Sequence, residues 1–169
     1  MIPLLGKESS FWLAREPYFP CATVTHLIMK KREPVSSIMS RNVQAVNIDD
    51  KLDHVAEVIR KYGIRHVPVV KDQQLVGIIS KTDINRLTFS SLFTGQEGSD
   101  EAVFELLSIS QVMSHKPRVV RADESIRDVA EILAVEEFHA LPVVDSADGS
   151  KLVGIVTTTD VIKYMLQQY

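Results

Sequence analysis

Apolar residues in the middle of the chain first follow a helical period. The apolar positions between residues 52 and 59 are spaced three and four apart, as on one face of an α-helix. Gly63 then stands where a residue in the left-handed conformation would end the helix. We therefore predict a helix from about residue 50 to residue 62, with Asp49 or Asp50 as its N-cap.

Two short apolar runs follow this helix and have a different pattern. Residues 67–70 and 75–79 are rich in β-branched side chains, and they flank the polar segment 71–74. Such runs around a polar turn predict a β-hairpin. Pro68 then belongs at a strand start or edge, where its missing N–H removes no ladder hydrogen bond.

The same succession of patterns occurs a second time. Residues 38–40, 55–57 and 68–70 match residues 112–114, 129–131 and 142–144 at an offset of 74. Beyond a longer second turn, which contains Asp148 and Gly149, the offset is 77. A unit of this size buries only part of its apolar surface alone, so we predict that the two copies pack sheet to sheet as one domain.

The second copy departs from the first at one helix end. Glu137 stands where the first copy has Gly63. Either the second helix ends differently, or Glu137 adopts an unfavourable backbone conformation at some cost in stability.

Composition and charge exclude several classes of function. The net charge of −3 and the pI of 5.9 show no overall surplus of positive charge that would attract nucleic acid or anionic lipid. The basic run at 30–32 is followed by Glu33 and reads as a solvated linker. A single cysteine, Cys21, fits a reducing compartment, and charged residues interrupt every apolar run near the start. We expect a cytoplasmic protein with no nucleic-acid or membrane partner.

Two segments lie outside the repeated pattern. Residues 1–33 form an N-terminal extension that contains Trp12 and shows no periodicity. Either Met29 is the natural start and the preceding stretch is dispensable, or the aromatic residues of that stretch dock on the domain. Residues 91–108 form a linker in which we expect helical pieces.

Each copy ends its last strand with a hydroxyl residue followed three positions later by an aspartate. These are Ser80 with Asp83 and Thr157 with Asp160. The pattern is a helix capping box. It also suits a phosphate site, because the start of a helix offers unpaired N–H groups and partial positive charge. The aspartate would then accept hydrogen bonds from paired ribose hydroxyls, with Lys81 and Arg65 as nearby cations.

The order and duplication of these motifs resemble the CBS domain family. The resemblance rests on a Met-Ser start, a helix with acidic residues at its start, a Pro-Val-Val strand and a Gly-x-x-Ser/Thr-x-Thr-Asp strand end. It covers residues 34–90 as repeat 1 and 109–169 as repeat 2, which together make the pair called a Bateman module. It implies an α/β (α+β) fold of two β-α-β-β-α units related by a pseudo-twofold axis, and a homodimer.

The resemblance also implies two ligand clefts between the repeats. In relatives that bind adenosine derivatives, the aspartate holds the ribose, the hydroxyl residues reach the phosphates, and the facing repeat holds the base. Carried over to this chain, the first cleft combines Ile78, Ser80, Thr82 and Asp83 with Met113, Arg118, Phe138 and His139. The second combines Ile155, Thr157, Thr159 and Asp160 with Met39, Gln44, Ile64 and Arg65. For Phe138 and Ile64, the alternative to contact with a ligand is ordinary packing in the core.

Three classes of function follow. The first is a regulatory module that senses AMP, ADP or ATP, with S-adenosylmethionine or an NAD derivative as other ligands, and acts on an unknown protein in trans. The second is a dimerisation or interaction module without a nucleotide, and the third is a subunit separated from its catalytic chain. The sequence has no P-loop, no nucleophile elbow and no histidine pair at metal-ligand spacing, so we expect neither an enzyme nor a metal site.

Overall fold

A computed structural model describes residues 33–93, 104–136 and 138–169. The questions about Met29, the docking of the N-terminal aromatic residues and the basic run at 30–32 therefore lie outside the described residues, as does Glu137.

The two repeats share a β-α-β-β-α succession, and repeat 2 has one further strand before it. Repeat 1 has a short 3-10 turn at Val35–Ser37, β1 at Val46–Asn47, α1 at Leu52–Tyr62, β2 at His66–Lys71, β3 at Gln74–Ser80 and α2 at Lys81–Phe93. Repeat 2 has α3 at Ile109–Val112, β4 at Ser114–His115, β5 at Val120–Arg121, α4 at Ile126–Val135, β6 at Ala140–Val144, β7 at Leu152–Thr157 and α5 at Thr158–Leu166. Helix α2 enters the segment that we interpreted as a linker, and residues 104–106 are also helical.

Helix α1 confirms the predicted period but not the predicted N-cap. The helix ends before Gly63, whose φ of 63° is the left-handed conformation that glycine adopts without strain. Its N-cap is Lys51, with no side-chain capping bond. The prediction of Asp49 or Asp50 was wrong because Asp50 accepts a hydrogen bond from Asn47 N at 2.8 Å and so closes the turn after β1 instead.

The end of helix α4 decides between the two alternatives that the sequence left open for the second helix. It stops at Val135, and Glu136 already has extended backbone angles, with φ −89° and ψ 144°. The second helix therefore ends differently from the first. At its start, Ser125 caps it by accepting a hydrogen bond from Asp128 N at 3.1 Å.

The first hairpin is as tight as its sequence predicts. Strands β2 and β3 pair antiparallel, and only Asp72 and Gln73 separate them, both with positive φ. Two such residues form the turn type that matches the twist of paired strands. Pro68 lies near the start of β2, and β1 begins to pair with that strand at Val69, so the proline interrupts no ladder on that side.

The two repeats exchange their first segments. Strand β4 of repeat 2 pairs with β3 of repeat 1, which completes a four-stranded sheet in the order β1-β2-β3-β4. In the other direction, Ser40 forms an antiparallel bridge with Ile155 beside the three-stranded sheet β5-β6-β7. This reciprocal pairing is the pseudo-twofold relation that the family resemblance implies.

Each of the two hydrophobic cores contains buried residues from both repeats. One core cluster contains Leu52, Val55 and Ile79 of repeat 1 together with Ile109 and Met113 of repeat 2. The other is built on repeat 2 and contains Val35 of repeat 1, which is fully buried. Each repeat thus supplies apolar side chains to the core of its partner, so the pair forms one folding unit.

Candidate functional site

A cavity of about 620 Å³ lies between the two repeats. The end of β3 and the start of α2 form one wall, and residues 114–118 and 138–142 of the second repeat form the other. Among the residues that line this first cleft are Ile78, Ser80, Thr82, Asp83, Arg118, Phe138 and His139.

Met113 is the predicted first-cleft residue that does not line the cavity. Its side chain is 6% exposed and packs in the first core, against the backbone of Gly77. Because a Cβ on Gly77 would overlap the sulfur of Met113, the glycine and the methionine form a matched packing pair. Met39 and Gly154 form the equivalent pair in the other half of the molecule.

Asp83 forms the capping box that its sequence spacing predicts. Its Oδ2 accepts from Ser80 N at 3.0 Å and from Ser80 Oγ at 2.7 Å, and Asp83 N donates to Ser80 Oγ at 3.2 Å. Within the part of the chain that the structure describes, the other carboxylate oxygen carries no hydrogen bond. The structural role of Asp83 therefore leaves an acceptor for a ligand at the start of α2.

Asp160 occupies the same position in the second repeat. Its Oδ2 accepts from Thr157 N at 2.8 Å and from Thr157 Oγ1 at 2.7 Å. Both capping aspartates are half-buried. The two helix starts therefore share the same capping geometry.

Phe138 and Ile64 differ although they stand at equivalent positions. Phe138 is 45% exposed and lines the first cleft, so its ring is open to a ligand. Ile64 is partly buried and packs against the first core. For Ile64, core packing is the better description.

The first cleft has a strongly cationic lining. Arg86 and Lys116, which the sequence analysis missed, line it together with Arg118. Lys81, which the sequence suggested as the nearby cation, is not among the lining residues. Helical spacing could have found Arg86, because it lies three residues after Asp83 and so on the same face of α2.

His66 also lines the first cleft, as His139 does. Burial lowers the pKa of His66 from its ordinary value of 6.5, and the charges of Arg65 and His139 lower it further, while Asp83 opposes them. Arg65, assigned to the second cleft by sequence, is thus close enough to His66 to affect its charge state. The pre-proline segments of both repeats meet here.

Two residues predicted for the second cleft, Met39 and Ile155, lie at or beside the bridge between Ser40 and Ile155. Ser40 N donates to Ile155 O at 2.9 Å, and Ile155 N donates to Ser40 O at 3.0 Å. Met39 lies against Gly154, three residues before Thr157 at the end of β7. Thr159 is exposed in the first turn of α5, and Gln44 and Arg65 lie on repeat 1 at the positions equivalent to Arg118 and His139.

Neither a metal cluster nor a membrane span is found in the described ranges. No group of three or more His, Cys, Asp or Glu side chains in residues 33–93, 104–136 and 138–169 is arranged to hold a metal ion. No helix in these same ranges has the length and apolar character needed to cross a bilayer.

Comparison with known proteins identifies the family. The sequence profile of the CBS domain matches residues 35–89 and again residues 109–167. The chain belongs to the CBS domain family. The two matches correspond to the two halves that exchange their first segments, so this protein has a tandem CBS pair.

Several relatives share the CBS pair. MJ1225 of Methanocaldococcus jannaschii is 28% identical over 135 residues, which cover 79% of this chain and 48% of that protein. Its crystal structure superposes with a TM-score of 0.69. The chain thus spans about half the length of that relative. A CBS domain-containing protein of Dictyostelium discoideum is 27% identical and is 91% covered.

CBSX2 of Arabidopsis thaliana has been solved in complex with AMP. It is 27% identical to this chain in that structure, with a TM-score of 0.64, and the superposition covers 79% of this chain and 96% of CBSX2. By sequence, the chloroplastic CBSX2 protein is 30% identical over 148 residues, which cover 75% of this chain and 60% of CBSX2.

Proposed function

We propose that this CBS pair is a regulatory module that binds an adenine nucleotide, AMP, ADP or ATP, in its first cleft. The observation that carries the proposal is the convergence, in one cavity of about 620 Å³, of an acceptor for a ribose, an exposed aromatic ring and a group of cations. The volume falls in the range of about 300–1,000 Å³ that is typical of small-molecule sites. The AMP complex of CBSX2, a relative with the same fold, supports the same ligand class.

Each part of a nucleotide has a complementary group in the cleft. The free carboxylate oxygen of Asp83 accepts from the ribose hydroxyls, and Phe138 stacks on the base. The hydroxyl and the N–H of Thr82 donate to phosphate oxygens, where the partial positive charge at the start of α2 adds to the attraction. Ser80 fixes Asp83 in place through the capping box.

Because both repeats line the cleft, the affinity for a nucleotide depends on how the two repeats are arranged relative to each other. A ligand shifts a conformational equilibrium only by the difference in its affinity for the two states. Contacts made at once to α2 of repeat 1 and to residues 138–142 of repeat 2 supply such a difference. The output is then a change in how the pair binds a regulated protein in trans, with no catalytic step in this chain and in a cytoplasmic setting.

The second cleft is proposed as a weaker nucleotide site. It has the same capping aspartate, Asp160, and the same hydroxyl residues, but Ile64 replaces the stacking ring of Phe138 and packs on the core. Its facing wall also has Gln44 where the first cleft has Arg118. We expect unequal affinities in the two clefts.

Calorimetric titration with matched variants tests the proposal. Protein that has been unfolded and refolded to remove co-purified ligand is titrated with AMP, ADP, ATP and S-adenosylmethionine. Asp83→Asn and Asp160→Asn alter the same capping interaction, so each is the structural control for the other. We expect Asp83→Asn to weaken the tighter site about tenfold or more, the effect of losing about 1.4 kcal/mol or more of binding free energy.

A second candidate function is a dimerisation module without a nucleotide. It is favoured by an exposed apolar stripe on α5 and the residues after it, formed by Ile162, Met165, Leu166 and Tyr169, which are 51%, 38%, 67% and 86% exposed. If no adenosine ligand gives saturable heat with correctly folded protein, this function replaces the nucleotide sensor.

A further inference from the structure

The charges that line the first cleft are unbalanced. Asp83 is the one carboxylate among the described lining residues, whereas Arg86, Lys116 and Arg118 all line the same cavity. Three histidines also line the cavity: His66, His115 and His139. The cleft is therefore built to attract an anion rather than a neutral or cationic ligand.

Two of these cations have no carboxylate partner. Arg118 lies 3.8 Å from Glu136, Nε to Oε1, so part of its charge is already balanced within the protein. In the described residues, neither Arg86 nor Lys116 takes part in an ion pair. Their charges remain available to a group that enters the cleft.

Lys116 also has an unusual backbone conformation. Its φ of 48° lies in the left-handed region, which a lysine rarely adopts. Asn42, the residue at the equivalent position of repeat 1, is of a type that tolerates this conformation better, yet its φ is not positive. Such strain persists only where the surrounding structure enforces it, and it is concentrated at ligand sites.

We propose that Arg86 and Lys116 determine the ligand selectivity of the first cleft, so that it favours adenosine ligands in proportion to their phosphate charge and rejects S-adenosylmethionine. The inference rests on the proposed function, because it assumes that an adenosine moiety occupies this cleft. A nucleotide site does not by itself require Arg86 and Lys116, nor an affinity that increases with the phosphate charge of the ligand.

The rule follows from simple electrostatics. Adenosine is neutral, so Arg86 and Lys116 contribute little to its binding, whereas each added phosphate brings negative charge towards them. S-adenosylmethionine has no phosphate and carries a net positive charge, because its sulfonium and ammonium groups outweigh its single carboxylate, so the cations of the cleft repel it overall. Attraction at a partly exposed site is screened by salt, so the preference for phosphates must weaken as ionic strength rises.

The test is a titration series in which only the charge of the ligand changes. Adenosine, AMP, ADP, ATP and S-adenosylmethionine are titrated, without divalent cations, into wild-type protein, Arg86→Gln and Lys116→Asn. Lys163→Gln is the matched control, because Lys163 holds the position of Arg86 in the second repeat. Asparagine at 116 removes the charge but tolerates the left-handed backbone, so this variant keeps its fold.

We expect wild-type affinity to increase from adenosine through AMP to ATP and to be lowest for S-adenosylmethionine. Each cleft variant loses about tenfold in AMP affinity, or about 1.4 kcal/mol. The same variants change adenosine affinity less than twofold, and Lys163→Gln leaves the tighter site unchanged. Equal losses for adenosine and AMP, or S-adenosylmethionine binding as tightly as AMP, overturn the inference while leaving a nucleoside site in place. If none of the five ligands binds, the proposed function fails and this inference fails with it.

Discussion

At the scale of single residues, His66 lies where the charges of the two repeats meet. Its pKa is lowered first by burial and then by Arg65 and His139, against the opposing effect of Asp83. Arg86, Lys116 and Arg118 line the same cavity and face the same region. A neutral imidazole is therefore preferred in the folded protein.

The lowered pKa makes stability depend on pH in a defined direction. As the pH falls below 6.5, the unfolded chain protonates His66 before the folded protein does, so acid favours unfolding; above 6.5 the imidazole is neutral in both states and contributes nothing. We expect the loss of melting temperature between about pH 7.5 and about pH 5.5 to be smaller in His66→Gln than in the wild type.

Scanning calorimetry across this pH range checks the expectation. His54→Gln, which removes an exposed imidazole from α1, is the control. Identical pH profiles for wild type and His66→Gln would show that His66 is not held neutral by its surroundings.

The site residues show where sequence reasoning stops. Ser80, Asp83 and Phe138 are found from motif order, because their positions are fixed relative to a strand end or to a proline. Lys116 is not, because its place in the cavity lining depends on the fold, and its left-handed backbone is one that a lysine in a sequence does not indicate. Met113 was assigned to the cleft through the family resemblance; its side chain is buried beside Gly77, and the assignment stays a prediction.

At the scale of helices and strands, local period explains what was predictable. Helix α1 and the hairpin β2–β3 have repeated apolar spacing, a left-handed Gly63 and a polar turn, and all of these were found. Strands β1, β4 and β5 are two residues long and carry no period. The pairing of β4 with β3 joins residues about forty positions apart, so no local pattern predicts it.

The glycines in β3 and β7 test the exchange between the repeats. A Cβ on Gly77 would overlap Met113 and lie 3.1 Å from Ser114 O, a backbone atom held by strand pairing. On Gly154 the three atoms nearest to it would all belong to the flexible side chain of Met39. We expect Gly77→Ala to cost about 1–3 kcal/mol of unfolding free energy and Gly154→Ala to cost less.

Urea unfolding gives the free energy of unfolding of both variants, which is compared with that of a control variant. Gly149→Ala is the control, because a Cβ there meets nothing within 4 Å. A Gly77→Ala variant as stable as Gly149→Ala would contradict the close contact between β3 and the start of repeat 2.

At the scale of the whole molecule, the two repeats share their cores, and α5 presents one further apolar face. Val161 and Tyr164 are buried on one side of this helix, while the stripe of Ile162, Met165 and Leu166 is exposed on another. Tyr164 also donates a hydrogen bond to Glu33 Oε2 at 2.7 Å, which fixes the orientation of the helix.

We expect this stripe to be the contact between two copies of the chain, as the family resemblance implies. Exposed apolar side chains at helical spacing gain free energy when they are buried against a second copy. Light scattering should give twice the 19.0 kDa chain mass for the wild type and a shift towards monomer for Leu166→Glu. Gln167→Glu adds the same charge beside the stripe and should remain dimeric; a monomeric wild type would refute this interface.

The most direct test of the proposed nucleotide site is a crystal structure of the refolded protein with AMP. We expect AMP in the first cleft, with the ribose hydroxyls on Asp83, the base against Phe138 and the phosphate towards Arg86 and Lys116. An empty first cleft at saturating AMP, or AMP bound elsewhere on the molecule, would contradict it.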